Sequence, residues 1–129
     1  MKPGIPAWSV VIVVTKGPHE FLVLTRNFNP RDPALPGGDS EDSDSAPAES
    51  ARRELLEETG IVAQELRCID RFEGDRGQPV FVFVATKWSG KPRIGNEGKP
   101  YWSSPLALMT KTATYRQEAR SILQKLGRI

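Results

Sequence analysis

Cysteine is almost absent from this chain, because Cys68 is the single one among 129 residues. One cysteine excludes an intrachain disulfide framework. Its neighbours Leu66 and Ile69 are apolar, so we predict an ordinary buried thiol and not a nucleophile. A protein without disulfides suits a reducing compartment, and the sequence therefore predicts a cytoplasmic location.

Long apolar runs are also missing. The longest ones, Val10–Val14 and Val80–Ala85, are far shorter than the roughly 20 residues that a helix needs to cross a bilayer. We therefore expect no signal peptide, no spanning segment and no membrane partner.

Neither sign of charge is in large excess. The chain has 18 basic and 16 acidic residues, a formal net charge of +2, and no basic block. This balance does not indicate binding to extended nucleic acid. The length and the 38% apolar content fit one domain, residues 1–129, with a real core. A monomer and a homodimer both remain open.

Runs of β-branched and aromatic residues alternate with helical patterns, which predicts a mixed α/β domain. The predicted strands are Trp8–Thr15, Phe21–Arg26, one or two within Ile61–Glu73, Val80–Lys87 and Tyr101–Ser103. The first two flank Gly17-Pro18 and should form a hairpin. One predicted helix begins at Ser45 or Ala46 with Pro47 in its first turn, and another covers about Thr112–Leu126. Irregular loops are expected at Asn27–Pro36 and Gly90–Pro100.

Three carboxylates lie on one face of the first predicted helix. Glu54, Glu57 and Glu58 have the spacing i, i+3 and i+4, which brings side chains together. Clustered like charges destabilise a helix, and a hard divalent cation with oxygen ligands would compensate. A solvated acidic face is the usual alternative. The glycines upstream, Arg53 four residues before Glu57 and the helix stop at Gly60 favour a Mg²⁺ or Mn²⁺ site.

The segment around these acids resembles the signature of a known family. Its two parts read Leu35-Pro36-Gly37-Gly38 and Arg53-Glu54-Leu55-Leu56-Glu57-Glu58-Thr59-Gly60-Ile61. They resemble the box of the Nudix hydrolases, G-x5-E-x7-R-E-U-x-E-E-x-G-U with an aliphatic U, and the second half matches completely. The resemblance implies an α/β/α sandwich, with a mixed sheet between the box helix and a C-terminal helix. It also implies that the Gly38 carbonyl joins Glu54, Glu57 and Glu58 as a metal ligand.

The first half of the box departs from the family pattern. Asp44 stands where the family has glutamate, and eight residues instead of seven separate it from Arg53. A surface loop accommodates an extra residue at little cost. The shorter side chain and the insertion predict that Asp44 has left the inner shell of metal ligands.

A second segment resembles the MutT-like branch of the family. It reads Trp88-Ser89-Gly90-Lys91-Pro92, then Gly95-Asn96-Glu97-Gly98-Lys99-Pro100, then Trp102. By this resemblance Glu97 is a fourth carboxylate at the metals, and a solvated loop acid is the alternative. The implied reaction is hydrolysis of a nucleoside triphosphate to monophosphate and pyrophosphate.

The chemistry that this resemblance implies assigns further roles. Divalent ions neutralise the polyphosphate and orient water for in-line attack. Glu54 or Glu97 would be the general base, and Arg53 would orient Glu57 or a neighbouring acid. ADP-ribose or dinucleoside polyphosphates are alternative substrates. A nucleotide-binding sensor without turnover is the other function class, but the complete set of box acids argues against it.

Two substrate contacts are predicted from their position in the chain, and a third is implied by the resemblance. Arg26 and Asn27 follow the second strand and could reach phosphate or sugar, or simply face solvent. Tyr115 aligns with the segment that reads the purine in the MutT-like branch. An aromatic ring there could stack on a base but would not make an asparagine's paired hydrogen bonds, and packing in the core is an equal alternative.

Overall fold

The structure is a computed structural model, and it describes residues 4–17, 20–29, 33–95, 98–104 and 124. The predicted site residues Glu97 and Tyr115 lie outside the described residues. The same holds for the helix predicted at about Thr112–Leu126, apart from Gln124, which is helical. The backbone of Arg26 is described.

Seven strands and one α-helix make up the described part of the chain. The strands are β1 (Ser9–Lys16), β2 (Glu20–Thr25), β3 (Pro33–Ala34), β4 (Gly37–Asp39), β5 (Val62–Glu73), β6 (Pro79–Ser89) and β7 (Pro100–Ser103), and the helix is α1 (Pro47–Thr59). The elements predicted at these places are confirmed, with ends that differ by a few residues.

Strand β1 is the centre of the sheet. It runs parallel to β6, with Ser9 opposite Val80 and Val14 opposite Ala85. Its other edge pairs antiparallel with β4 in its first half and with β2 at its end. The strand order is β3-β2-β1-β6-β5, with β7 also paired to β2. Parallel and antiparallel pairs occur together, so the predicted mixed sheet is confirmed.

Alternate residues of β1 are buried on opposite faces of the sheet, as the period of a strand requires. On one face Val10, Ile12 and Val14 pack with Leu55 of α1. On the other face Val13 packs with a second cluster formed by Phe21, Val23, Val82 and Val84. Residues on both faces of the sheet are therefore buried, and α1 covers the first face, as in an α/β fold.

Helix α1 begins and ends where its sequence specifies. Pro47 occupies the first turn, where its missing N–H leaves no hydrogen bond unmade. Gly60 ends the helix with φ of 79° and donates its N–H to the carbonyl of Leu56 at 2.9 Å. The left-handed conformation favours glycine, so this residue fixes the end of the helix.

One loop prediction needs correction, and one short strand was not predicted. Gly37 and Gly38 form β4 and pair with Val11 and Val10 of β1. The loop predicted at Asn27–Pro36 contains a 3₁₀ turn, Arg26–Phe28, and the two-residue strand β3. Strands this short carry too little periodicity to be predicted.

The prediction of a buried thiol is wrong, because Cys68 is exposed. It lies on β5, the last strand in the described order, and the register of β5 is irregular between Cys68 and Asp70. Its neighbours Leu66 and Ile69 pack against the two core clusters, one on each face. No helix among the described residues has the length and apolar character to cross a membrane.

Adjacent leucines of α1 test this packing. Leu55 is 0% exposed and Leu56 is 43% exposed. We expect Leu55→Ala to lower the free energy of unfolding by about 2–5 kcal/mol, because it leaves a cavity. The matched variant Leu56→Ala should stay within about 0.5 kcal/mol of the wild type. Urea denaturation of both variants measures the difference, and equal losses would contradict the packing described here.

Candidate active site

The two glycines of β4 let this strand lie close to its neighbours, Gly37 to strand β1 and Gly38 to helix α1. A Cβ atom on Gly37 would lie 2.3 Å from the carbonyl oxygen of Val10. A Cβ atom on Gly38 would lie 2.5 Å from the carboxyl carbon of Glu54. Neither distance is possible for a real side chain. The glycine pair therefore lets β4 pair with β1 and lets the Glu54 carboxylate rest against the backbone of β4.

Glu54 and Glu58 form a pair of carboxyl groups at this contact. They are neighbours at positions i and i+4 of α1, and both are largely shielded, with a side-chain exposure of 12% for Glu54 and a residue exposure of 4% for Glu58. Glu58 Oε2 also accepts the backbone N–H of Gly37 at 3.1 Å. Burial raises the pKa of Glu54, although Arg53 acts in the opposite direction.

Arg53 connects the acidic residues of the helix with those of the preceding loop. Its Nη1 lies 3.0 Å from Glu54 Oε1 and 3.3 Å from Glu57 Oε2. The i,i+4 ion pair with Glu57 that the sequence predicts is therefore present. Nη2 donates to the carbonyl of Asp39 at 3.1 Å, and Nη1 lies 3.2 Å from Glu41. One guanidinium thus contacts the end of β4, the loop and the helix.

Asp44 is the best-buried acid of the loop, with a side-chain exposure of 2%. Its two oxygens accept hydrogen bonds from Arg53 Nε at 3.1 Å and Nη2 at 2.8 Å. Hydrogen bonds from Arg53 hold the pKa of Asp44 well below its ordinary value, against the opposing effect of burial. This residue contacts Arg53, and its predicted displacement from the inner metal shell stays a prediction.

The three helix acids are not equivalent. Glu57 is 56% exposed and pairs with Arg53, whereas Glu54 and Glu58 contact each other. Among the residues that the structure describes, no three histidine, cysteine or acidic side chains are already arranged around a common metal position. The Glu54–Glu58 pair nevertheless fits a hard divalent cation, because adjacent shielded carboxylates repel unless a proton or a cation lies between them.

The segment before Glu97 is attached to the end of α1. The N–H of Arg93 donates to the carbonyl of Thr59 at 2.8 Å. Gly95 lies so close that an added Cβ would be 2.7 Å from the carbonyl oxygen of Glu58. Gly90, at φ of 102°, packs on the carbonyl of Gly60. The chain therefore reaches the C-terminal end of the acidic helix two residues before Glu97.

The segment after Glu97 is attached to the end of β2. A Cβ atom on Gly98 would lie 2.0 Å from the carbonyl oxygen of Thr25. The N–H of Lys99 donates to Thr25 Oγ1 at 2.9 Å, and the N–H of Thr25 donates to the carbonyl of Lys99 at 3.0 Å. These contacts bring the ends of two predicted site segments together, because Arg26 and Asn27 directly follow Thr25.

The 3₁₀ turn at this strand end has an unusual backbone. Asn27 and Phe28 both have positive φ, 50° and 58°. Asparagine tolerates this conformation, but it is rare for a bulky residue such as phenylalanine. Both side chains are exposed. An Arg-Asn-Phe segment predicts no left-handed residues, so Phe28 could not be singled out from the sequence.

The two tryptophans of the second motif are in contact. The ring centroids of Trp88 and Trp102 lie 5.7 Å apart with an interplanar angle of 35°. Lys16 Nζ lies 5.6 Å from the centroid of the Trp102 ring. Both rings pack against the core cluster beneath α1. They therefore attach β6 to β7, on either side of the segment that carries Glu97.

Sequence reasoning missed two residues that contact the acidic loop. Trp8 Nε1 donates to Ser50 Oγ at 2.9 Å, and Ser50 Oγ donates to Asp44 Oδ2 at 2.6 Å. Trp8 and Ser50 are 42 residues apart. A lone tryptophan before a strand and a serine in a helix give no signal of such a contact.

Comparison with known proteins identifies the family. The NUDIX domain model matches residues 5–126. The chain is 33% identical over 101 residues to an 8-oxo-dGTP diphosphatase of Haemophilus influenzae, covering 70% of this chain and 72% of that protein.

Solved structures show the same fold. A MutT structure from work on Aliivibrio salmonicida and Vibrio cholerae superposes with a TM-score of 0.74 at 18% identity, covering 90% of this chain and 94% of that one. The Bacillus halodurans MutT protein superposes with a TM-score of 0.72 at 24% identity, covering 89% of this chain and 80% of that one. The NUDIX domain of Shewanella oneidensis NrtR, complexed with ADP ribose, superposes with a TM-score of 0.76 at 17% identity, covering 98% of this chain and 94% of that one. The chain therefore belongs to the Nudix family, as a MutT-like hydrolase acting on phosphoric anhydrides.

Proposed function

We propose that the protein is a divalent-metal-dependent pyrophosphohydrolase that converts a nucleoside triphosphate, or its deoxy form, to the monophosphate and pyrophosphate. The observation that carries this proposal is the shielded Glu54–Glu58 pair, held between the Gly37-Gly38 backbone and Arg53. The relative from Haemophilus influenzae, an 8-oxo-dGTP diphosphatase, supports a nucleoside triphosphate as the substrate and removal of damaged nucleotides as the role.

Glu54 and Glu58 would hold the metal, Mg²⁺ or Mn²⁺, with Glu57, Glu97 and the Gly38 carbonyl as the further proposed ligands. When bound, such an ion neutralises phosphate charge and lowers the pKa of water. Glu54 and Glu97 are the candidates for the general base.

The other residues would position these groups and the substrate. Arg53 donates to both Glu54 and Glu57, so it fixes the direction in which their carboxylates point without having to touch the substrate. Arg26, Asn27 and Tyr115 are the proposed substrate contacts. The attachment of Lys99 to Thr25 supports this for Arg26 and Asn27, because it places the end of β2 beside the Glu97 segment.

ADP-ribose is the second candidate substrate. Its support is the structural likeness to the NrtR domain complexed with ADP ribose, which at 17% identity concerns the fold alone. A panel of nucleoside triphosphates, ADP-ribose and dinucleoside polyphosphates, each with Mg²⁺, separates the candidates by the rate of phosphate or pyrophosphate release. A non-catalytic nucleotide sensor would bind members of this panel without turnover.

The carboxylate pair is tested by Glu58→Gln. This change keeps the shape and removes the charge of a side chain that is 4% exposed. Losing even a residue that only supports a metal ligand costs about 10–100-fold, so we expect kcat to fall by at least about 100-fold. Glu57→Gln should also lower kcat, because Glu57 is a proposed ligand. The control Glu49→Gln changes an exposed acid of the same helix and should leave the rate unchanged. Near-normal turnover of Glu58→Gln would refute the proposed metal site.

The two glycines provide a second test. Gly38→Ala should fold, because its Cβ meets the movable Glu54 side chain, but it should lose activity since that carboxylate is displaced. Gly37→Ala should instead destabilise the fold, because its Cβ meets the backbone of Val10. Thermal unfolding and steady-state kinetics of both variants measure this difference. A fully active Gly38→Ala enzyme would show that the position of Glu54 is unimportant for the reaction.

The point of attack is tested with labelled water. If the enzyme acts as a MutT-like pyrophosphohydrolase through Glu97, the solvent oxygen should appear in pyrophosphate, which means attack at the β-phosphorus. Glu97→Gln should then lower kcat much more than it raises KM. Mass spectrometry of the products reads the label. Label in the monophosphate would rule out this mode of attack and favour another nucleoside diphosphate derivative as substrate.

A further inference from the structure

A continuous series of hydrogen bonds leads from the start of β1 to the proposed metal site. Trp8 Nε1 donates to Ser50 Oγ at 2.9 Å, and Ser50 Oγ donates to Asp44 Oδ2 at 2.6 Å. Asp44 accepts two hydrogen bonds from Arg53, and Arg53 Nη1 donates to Glu54 at 3.0 Å. We call this series the Trp8–Glu54 relay.

The chemistry of the groups fixes the direction of the first two hydrogen bonds of the relay, and Asp44 accepts from both Ser50 and Arg53. An indole N–H only donates, so Ser50 Oγ must accept from Trp8. The one hydroxyl hydrogen of Ser50 is then directed to Asp44, and the length of 2.6 Å is typical of a hydroxyl bound to a carboxylate. Ser50 is 0% exposed and the side chain of Asp44 is 2% exposed. Water therefore has little access to replace either partner.

The relay also explains how the shortened acid of the box reaches Arg53. Asp44 Oδ2 accepts three hydrogen bonds: from the N–H of Glu41 at 2.9 Å, from Ser50 at 2.6 Å and from Arg53 Nη2 at 2.8 Å. The N–H of Asp44 donates in return to the carbonyl of Glu41 at 2.9 Å. The extra residue of the loop is thus taken up in a closed turn, and Ser50 holds the carboxylate from the helix side.

The position of Trp8 is fixed independently of the loop acids. Its backbone N–H donates to Ser40 Oγ at 3.2 Å, and its backbone carbonyl accepts the backbone N–H of Ser40 at 2.9 Å. Its ring packs against the core cluster beneath α1. The far end of the relay is therefore attached to the β1–β4 ladder, which does not move with the Asp44 side chain.

We propose that Trp8 and Ser50 are positioning residues for the hydrolytic reaction: through Asp44 they hold the Arg53 guanidinium on Glu54. This inference rests on the proposed function, because it assigns Glu54 to the reaction. Neither residue needs to touch substrate or metal. Loss of the Ser50 hydroxyl leaves Asp44 with one donor fewer and lets Arg53 move away from Glu54.

Ser50→Ala is the main test, with Ser45→Ala as the matched control. Ser45 precedes the same helix, is exposed and bonds to Glu49. We expect Ser50→Ala to lower kcat about tenfold, the size expected for one hydrogen bond to a charged group, and to leave KM within about twofold. It should also reduce the rise in melting temperature that Mn²⁺ gives the wild type. Ser45→Ala should change neither quantity.

Trp8→Phe tests the same relay from its other end. It also keeps the proposal testable if Ser50→Ala does not fold. It removes the N–H donor, keeps an aromatic ring, and should lower kcat by a smaller factor. Because both changes break one series of contacts, the double variant should be no slower than Ser50→Ala. The indole N–H resonance that Trp8→Phe removes from an NMR spectrum should shift in Ser50→Ala and stay unchanged in Ser45→Ala.

Three results would overturn the proposal: an unchanged kcat in Ser50→Ala, a change in KM alone, or effects of the two single variants that multiply fully in the double variant. Failure of the proposed function looks different. In that case the wild type itself hydrolyses no member of the nucleotide panel, and Mn²⁺ does not raise its melting temperature.

Discussion

The guanidinium of Arg53 decides how the acidic residues of this protein are arranged. It contacts carboxylates of the loop and of the helix, and it also binds the carbonyl at the end of β4. A planar group with five donors can satisfy several acceptors in fixed directions, which a lysine ammonium does not do. Without this contact, the loop acids and the helix acids would lie beside one another uncompensated.

The sheet provides the second constraint. Strand β4 pairs with β1, the central strand, and β1 is buried on both faces. The backbone of Gly38 is therefore held firmly where it meets Glu54. Helix α1 is held by Leu55 in the core and by Arg93 at its end. The Glu54–Glu58 pair thus lies between two rigid elements, which is how a site keeps its geometry when a charged ligand binds.

The sequence predicted the helix and its acidic face well, because Pro47 and Gly60 mark its ends and the acids follow the helical period. It did not predict that Glu57 differs from Glu54 and Glu58. Helical spacing defines a face, but the neighbours of that face come from β4, which is too short to show a strand pattern.

Cys68 was mispredicted for a related reason, since an irregular register in an edge strand interrupts the alternation on which burial predictions depend. The role of Asp44 was only partly predictable: the motif departure was visible, but Ser50 and Trp8 join it through tertiary contacts. The metal roles of Gly38, Glu54, Glu57, Glu58 and Glu97 stay predictions, as do the substrate contacts of Arg26, Asn27 and Tyr115.

A crystal structure of the chain with Mn²⁺ and a non-hydrolysable nucleoside triphosphate analogue tests the proposed site most directly. We expect anomalous density from manganese within coordination distance of both Glu54 and Glu58, with the analogue's phosphates on the same ions and Arg53 still contacting Glu54. Manganese bound elsewhere, with no ion at the Glu54 and Glu58 carboxylates, would contradict the assignment of this carboxylate pair as the metal site.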